Sequence, residues 1–150
     1  MISAKLLRRR FARGSSSIEF ALVAAFGGLF VILIGTMELG RVLFYLNTAN
    51  EATRLGARIA VVCDANAAQI KTRMTEMLTI LDPAKISVTY LPAGCATSAD
   101  TARNTCQSVT VEIASGLQID TAIPFVPFSL DMPAFSTTLS REAMDSANCS

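Results

Sequence analysis

Residues 20–37 carry no formal charge, and their apolar side chains would cover every side of a helix rather than one stripe. At a rise of about 1.5 Å per residue such a helix measures roughly 27 Å, close to the hydrocarbon thickness of a bilayer. Phe20, Leu22, Val23, Phe26, Leu29, Phe30, Val31, Ile32, Leu33 and Ile34 lie near or within its centre. At about 0.3 to 0.6 kcal/mol each they favour insertion by several kcal/mol. A soluble protein needs a large core to bury such a helix, which a chain of 150 residues hardly has. The run therefore predicts one transmembrane helix. It ends in Gly35-Thr36-Met37-Glu38-Leu39-Gly40-Arg41, without the small-residue A-x-A site of a cleaved secretory signal.

Beyond the run the apolar positions retreat to one side. Leu43, Leu46, Ala49, Ala52, Leu55 or Gly56, Ile59 and Val62 recur every three to four residues, so the helix is expected to continue to residue 62. Ala49, Ala52, Ala57 and Ala60 have two readings: close approach by another helix, as in bundled stems, or simple helix propensity. A second amphipathic helix is expected over residues 66–81, with Asp64 or Asn66 as its cap. Ile70, Met74, Met77, Leu78 and Leu81 share one face, and Asp82-Pro83 stops it. From Ile86 the period becomes two. Ile86, Val88 and Tyr90 oppose Ser87, Thr89 and Leu91, and Val109, Val111 and Ile113 repeat the pattern, predicting two antiparallel strands. Residues 135–141 can add a third, whereas Ile123-Pro124-Phe125-Val126-Pro127-Phe128 suits an edge or loop. The whole reads as α+β: a long transmembrane and stem helix, a second amphipathic helix and a small antiparallel sheet that a helix must cover.

Charge adds orientation. Lys5, Arg8, Arg9, Arg10 and Arg13 precede the run with no acid among them, which predicts a cytoplasmic amino end and an exported carboxyl domain. Without residues 1–14 the chain holds 8 Lys plus Arg against 12 Asp plus Glu, a side-chain sum of −4. No basic surface is then left for nucleic acid.

Glu19 sits where the basic leader meets the apolar run, and a carboxylate at a lipid boundary does nothing for anchoring. Cutting after Gly14 would make Ser15 a new amino terminus with Glu19 one helical turn away. The helix macrodipole and the new ammonium, from its own chain or a neighbour's, would then both favour the carboxylate.

This arrangement of basic leader, Gly14, Glu19 and Phe20 before an apolar helix resembles a type IV prepilin signal. More narrowly, R-G-S-S-S-I-E-F-A-L-V over residues 13–23, followed by Met37-Glu38-Leu39-Gly40-Arg41, resembles the TadE-like minor pseudopilins of the Flp (tight adherence, type IVb) pilus system. Softer matches are the alanine-rich 49–60 segment with Arg54 and Arg58, and Thr138-Leu139-Ser140-Arg141-Glu142. One departure is Ala24-Ala25-Phe26-Gly27-Gly28, where such helices commonly hold a proline; a kink here would rest on the paired glycines. The resemblance implies a pilin-like precursor cut at Gly14-Ser15 by a prepilin peptidase, with Glu19 and Phe20 serving assembly. Its partners would be other pilins or pseudopilins, the pilus assembly machinery and membrane lipid. It implies a cytoplasmic leader (1–14), a transmembrane and stem helix (15–62) and a periplasmic head (63–150) in the bacterial inner membrane.

Export would place Cys63, Cys95, Cys106 and Cys149 outside the reducing cytoplasm, which favours disulfides. Cys95 and Cys106 flank a polar stretch between two predicted strands and suit a short bridged loop, which leaves Cys63 with Cys149. Three connectivities remain possible on sequence grounds. With no histidine and no C-x-x-C there is no zinc pattern, no usual general base, no Gly-rich phosphate loop after a strand and no expected cofactor. Ser15 to Ser17 lack a base and read as small polar residues beside a cut. The sequence describes a substrate of catalysis rather than an enzyme. The alternative is an uncleaved, membrane-anchored periplasmic binding module, which would keep residues 1–14.

Overall fold

A computed structural model describes residues 3–123 and 127–149, with side chains from residue 16 onward except that of Asn148. Two compact units divide the chain, Met1–Gly40 and Arg41–Ser150.

The first unit belongs to helix α1 (Ser3–Val62), which continues into the second. No proline occurs before Pro83, and α1 passes through Gly27 and Gly28 without interruption. None of its most apolar 18-residue stretch is buried within the protein.

The second unit is α+β. Residues 41–62 of α1 are followed by α2 (Ala68–Met77), a 3₁₀ turn (Pro83–Lys85), β1 (Ile86–Leu91), α3 (Ala99–Thr105), β2 (Ser108–Ile113), β3 (Leu117–Asp120), β4 (Ser129–Met132) and β5 (Phe135–Ser140). β2 is central in an antiparallel sheet of order β1-β2-β5, while β3 and β4 pair as a separate antiparallel ribbon. The register sets Val109 between Tyr90 and Leu139, Val111 between Val88 and Thr137, and Ile113 between Ile86 and Phe135. Alternation then gives this sheet one apolar face and one face of Ser, Thr, Glu112 and the exposed Leu91, where the Thr110 and Thr138 hydroxyls bond across strands at 2.8 Å.

The apolar face is covered by both helices. At Gly56 the α1 backbone comes so close that an added Cβ would overlap Met74 Sδ of α2 and lie 3.1 Å from Val111 Cγ1 of β2. Ala49, Ala52, Ala57 and Ala60 are fully buried in this same core. Their smallness serves packing within the chain, which is neither of the two readings given above. Thr53, also fully buried, gives its hydroxyl proton to the Asn50 carbonyl (2.7 Å) and meets the Thr137 hydroxyl of β5 at 3.1 Å. A polar group inside the core is thus satisfied while joining α1 to the sheet edge.

Three local expectations change. α2 occupies residues 68–77 rather than 66–81, and neither Asp64 nor Asn66 caps it. Asn66 adopts a left-handed turn (φ 62°), and the cap position, Ala67, makes no side-chain bond. Leu78 and Leu81 remain buried although the helix has ended, because the chain stays against the core while Asp82 caps the 3₁₀ turn by accepting from the Ala84 N–H (2.8 Å). The polar stretch between Cys95 and Cys106 contains α3, whose first turn is closed by Ser98 Oγ accepting from the Thr101 N–H. The third strand falls at Phe135–Ser140. Of residues 123–128, those described connect β3 to β4, and 124–126 lie outside the described residues.

Candidate anchoring and processing segment

The surface of α1 from residue 16 to 36 is exposed throughout. Ile18, Phe20, Val23, Phe30, Val31 and Ile32 are all more than half exposed, at azimuths that go all round the helix. A water-soluble helix hides such residues on one face, whereas an apolar surface that runs all round suits a lipid-like solvent. α1 therefore has the length, composition and surface of a membrane anchor.

Glu19 and Phe20 lie at one end of this surface, both exposed, with Phe20 at 76%. The peptide bond between Gly14 and Ser15 belongs to α1, while the side chains of residues 1–15, and so those of Lys5, Arg8, Arg9, Arg10 and Arg13, lie outside the described residues. Gly14 in a helix interior weakens that helix by about 1 kcal/mol relative to alanine.

At the other end of the uncharged run the second unit begins with a basic and aromatic pair. The Arg41 guanidinium stands 5.7 Å from the centre of the Tyr45 ring and donates to the Asp120 carbonyl at the end of β3. Sequence periodicity does not reveal this contact, because its partners are 79 residues apart.

The far end of α1 is clamped covalently and electrostatically. Cys63 is bonded to Cys149 and Cys95 to Cys106, with Cα separations of 5.2 and 5.1 Å that suit disulfides. The Glu142 and Met144 N–H groups donate to the Val61 carbonyl and that of Asp145 to Val62, so the carboxyl-terminal segment follows the end of α1. Arg103 of α3 bonds Asp64 (2.9 Å), Asp145 (3.3 Å) and the Met144 carbonyl (2.9 Å). The Ser146 hydroxyl, and next Arg103, hold the Asp64 carboxyl below the usual carboxylate range; Asp64 in turn raises the Arg103 guanidinium. Burial pushes the Tyr90 phenol up, and its oxygen accepts from the Asn66 N–H at 2.8 Å. The sequence suggested a helix cap at Asp64; the partners that redirect it, Arg103 and Ser146, lie 39 and 82 residues away, beyond any local pattern.

A cleft of about 780 Å³ lies between α1 and α2, lined by Arg58, Ile59, Val62, Thr72, Arg73 and the Cys63–Cys149 bridge among others. Arg73 is paired with Glu76 at 3.2 Å. Among the described residues no group of three or more His, Cys, Asp or Glu converges as metal ligands would.

The model of the TadE-like protein family matches residues 14–58. This segment is TadE-like. The match opens on Gly14, takes in Glu19, Phe20, the whole uncharged run and Arg41, and closes at Arg58, within the part of α1 that belongs to the second unit. The likeness covers 45 of the 150 residues. The β-strands and all four cysteines lie outside the TadE-like segment. Comparison with curated proteins and with solved structures gave no match.

Proposed function

We propose that the protein is a minor pseudopilin made as a prepilin-like precursor: a prepilin peptidase cuts the Gly14–Ser15 bond at the cytoplasmic face of the inner membrane, and the shortened protein joins a Flp/type IVb pilus or its base. The observation that carries this reading is the position of Glu19, five residues past Gly14, at the edge of an exposed apolar helix inside the TadE-like segment. Positive charge and the amino end of a helix both favour a carboxylate at a lipid boundary. Hydrolysis adds such a charge, the Ser15 ammonium, on the same chain at a rise of about 6 Å or on a neighbouring subunit. The Lys and Arg residues of the leader keep the amino end cytoplasmic and the Arg41–Ser150 unit periplasmic, where its disulfides form. Other pilins, pilus assembly machinery and membrane lipid are the partners; no part of the reading calls for nucleic acid, a metal or a cofactor.

Two variants test it. Gly14→Leu should block maturation in cells that hold the peptidase, leaving the full-length precursor in the membrane; unchanged processing would overturn the assigned site. Glu19→Ala should still be cut but lose incorporation into purified pili, and normal incorporation would remove the assembly role. A binding module that is never cut keeps its leader in both backgrounds.

A further inference from the structure

The two disulfides differ in what surrounds their sulfurs. Cys95 and Cys106 belong to the hydrophobic core, both buried, and the Cys106 N–H donates to the Ala102 carbonyl of α3 at 3.1 Å. Cys63 and Cys149 stand outside that core. Cys63 is buried but Cys149 is partly exposed, and their bridge lines the cleft of about 780 Å³ between α1 and α2. A thiolate can therefore reach this bridge from solvent in the folded protein, whereas the other requires the core to open.

The cleft also carries charge that suits such a visitor. Among its lining residues are Arg58 of α1 and Arg73 of α2, both exposed, and a single carboxylate, Glu76, which pairs with Arg73. A surplus of positive charge near a disulfide draws in an attacking thiolate and stabilises the one that leaves.

The chain around the bridge tolerates its opening. As far as Asp145 the carboxyl-terminal segment is held without it, by the N–H bonds of Glu142, Met144 and Asp145 to the Val61 and Val62 carbonyls and by Arg103. Met144 is fully buried as well. Opening therefore loosens only the 3₁₀ turn Ser146–Asn148 and Cys149 itself, a local event rather than unfolding.

We infer that the Cys63–Cys149 bridge is a thiol–disulfide exchange site, open to a dithiol that enters the cleft between α1 and α2. One thiolate of the dithiol attacks Cys149 Sγ, the more accessible sulfur. A new S–S bond forms there, the Cys63–Cys149 bond breaks, and the Cys63 sulfur leaves as a thiolate that takes a proton from water. The second thiolate of the dithiol then attacks the first within the mixed disulfide, closing the dithiol as a disulfide and releasing the Cys149 thiolate. Two electrons pass from the dithiol to the bridge.

The full-length oxidised protein in detergent, treated with excess 2-mercaptoethanol or the anionic 2-mercaptoethanesulfonate, alkylated at intervals and mapped by peptide mass, tests this. The Cys63–Cys149 bridge should open at a rate proportional to thiol concentration and at least about tenfold faster than Cys95–Cys106. The first mixed disulfide should sit on Cys149, with Cys63 alkylated. Arg58→Glu should slow the anionic thiol about threefold relative to the neutral one. Cys95–Cys106 opening as fast as its counterpart would overturn the exchange site, as would a Cys63–Cys149 rate that does not rise with thiol concentration. A first adduct on Cys63 would overturn the assigned sulfur, and an unchanged ratio of the two rates in Arg58→Glu would overturn the cleft as the route.

Discussion

Substitution of Gly56 probes the packing on which the second unit depends. Alanine there gains about 1 kcal/mol of helix propensity. Its Cβ, however, would overlap Met74 Sδ and lie 3.0 Å from Met74 Cγ and 3.1 Å from Val111 Cγ1. Met74 and Val111 are both fully buried, and Val111 is β-branched on the central strand, so neither can swing into solvent. Overpacking costs about 1 to 3 kcal/mol, which leaves Gly56→Ala between neutral and about 2 kcal/mol destabilised. Leucine adds three more carbon atoms to the same gap, and Gly56→Leu should lose at least about 3 kcal/mol. Calorimetric melting of the full-length protein in detergent measures both, at roughly 4 to 8 °C per kcal/mol for a unit near this size. Gly40 has no atom within 4 Å of its Cβ position and makes the control: Gly40→Leu, with the propensity gain and no overlap, should not lower the melt. Replacing Met74 by alanine removes two of the three close atoms, so Gly56→Ala should cost less in the Met74→Ala background than alone. A Gly56→Leu protein that melts like the parent would refute close packing of α1 against α2 and β2.

The two disulfides should differ in weight because they close loops of different length. From sequence separations of 86 and 11, loop entropy gives about 4.6 kcal/mol for Cys63–Cys149 and about 2.8 kcal/mol for Cys95–Cys106. Paired Cys→Ser substitutions followed by calorimetry should therefore lower the melting temperature more for the first pair than for the second; the reverse order would count against the loop account. The Asp64 carboxyl is depressed in the folded state, so its stabilisation is complete above the ordinary carboxylate value near 3.8 and disappears as pH falls through the lower folded value. Stability curves of the parent and Asp64→Asn should diverge above about pH 4 and converge below it. A constant offset down to pH 2 would show that Asp64 acts through packing alone.

Different parts of the structure were legible to different degrees. The uncharged run needs no partner to be recognised, since its all-round apolarity is itself the signal, and Glu19 stands out against it. β1 and β2 alternate cleanly over six residues each, enough for both the strands and their facing to be read. The ribbon of β3 and β4 escaped because each strand has only four residues, with charge and proline around them. α3, with seven residues, is shorter than two turns, and its Ser98 cap was the one available sign. The buried alanines of α1 illustrate a deeper ambiguity. Small residues at helical spacing permit close approach without naming the neighbour, and only the fold shows that α2 and the sheet supply it. Arg41 and Arg103 were hidden for the same reason: their partners are brought to them by topology, not by sequence distance.

The central claim is that Glu19 marks an amino terminus made by cutting after Gly14. Intact mass and amino-terminal sequencing of native protein extracted from the membrane test it most directly, in cells where the peptidase is active. The account predicts a chain beginning Ser15-Ser16-Ser17-Ile18-Glu19. Molecules that retain residues 1–14 under those conditions would contradict it.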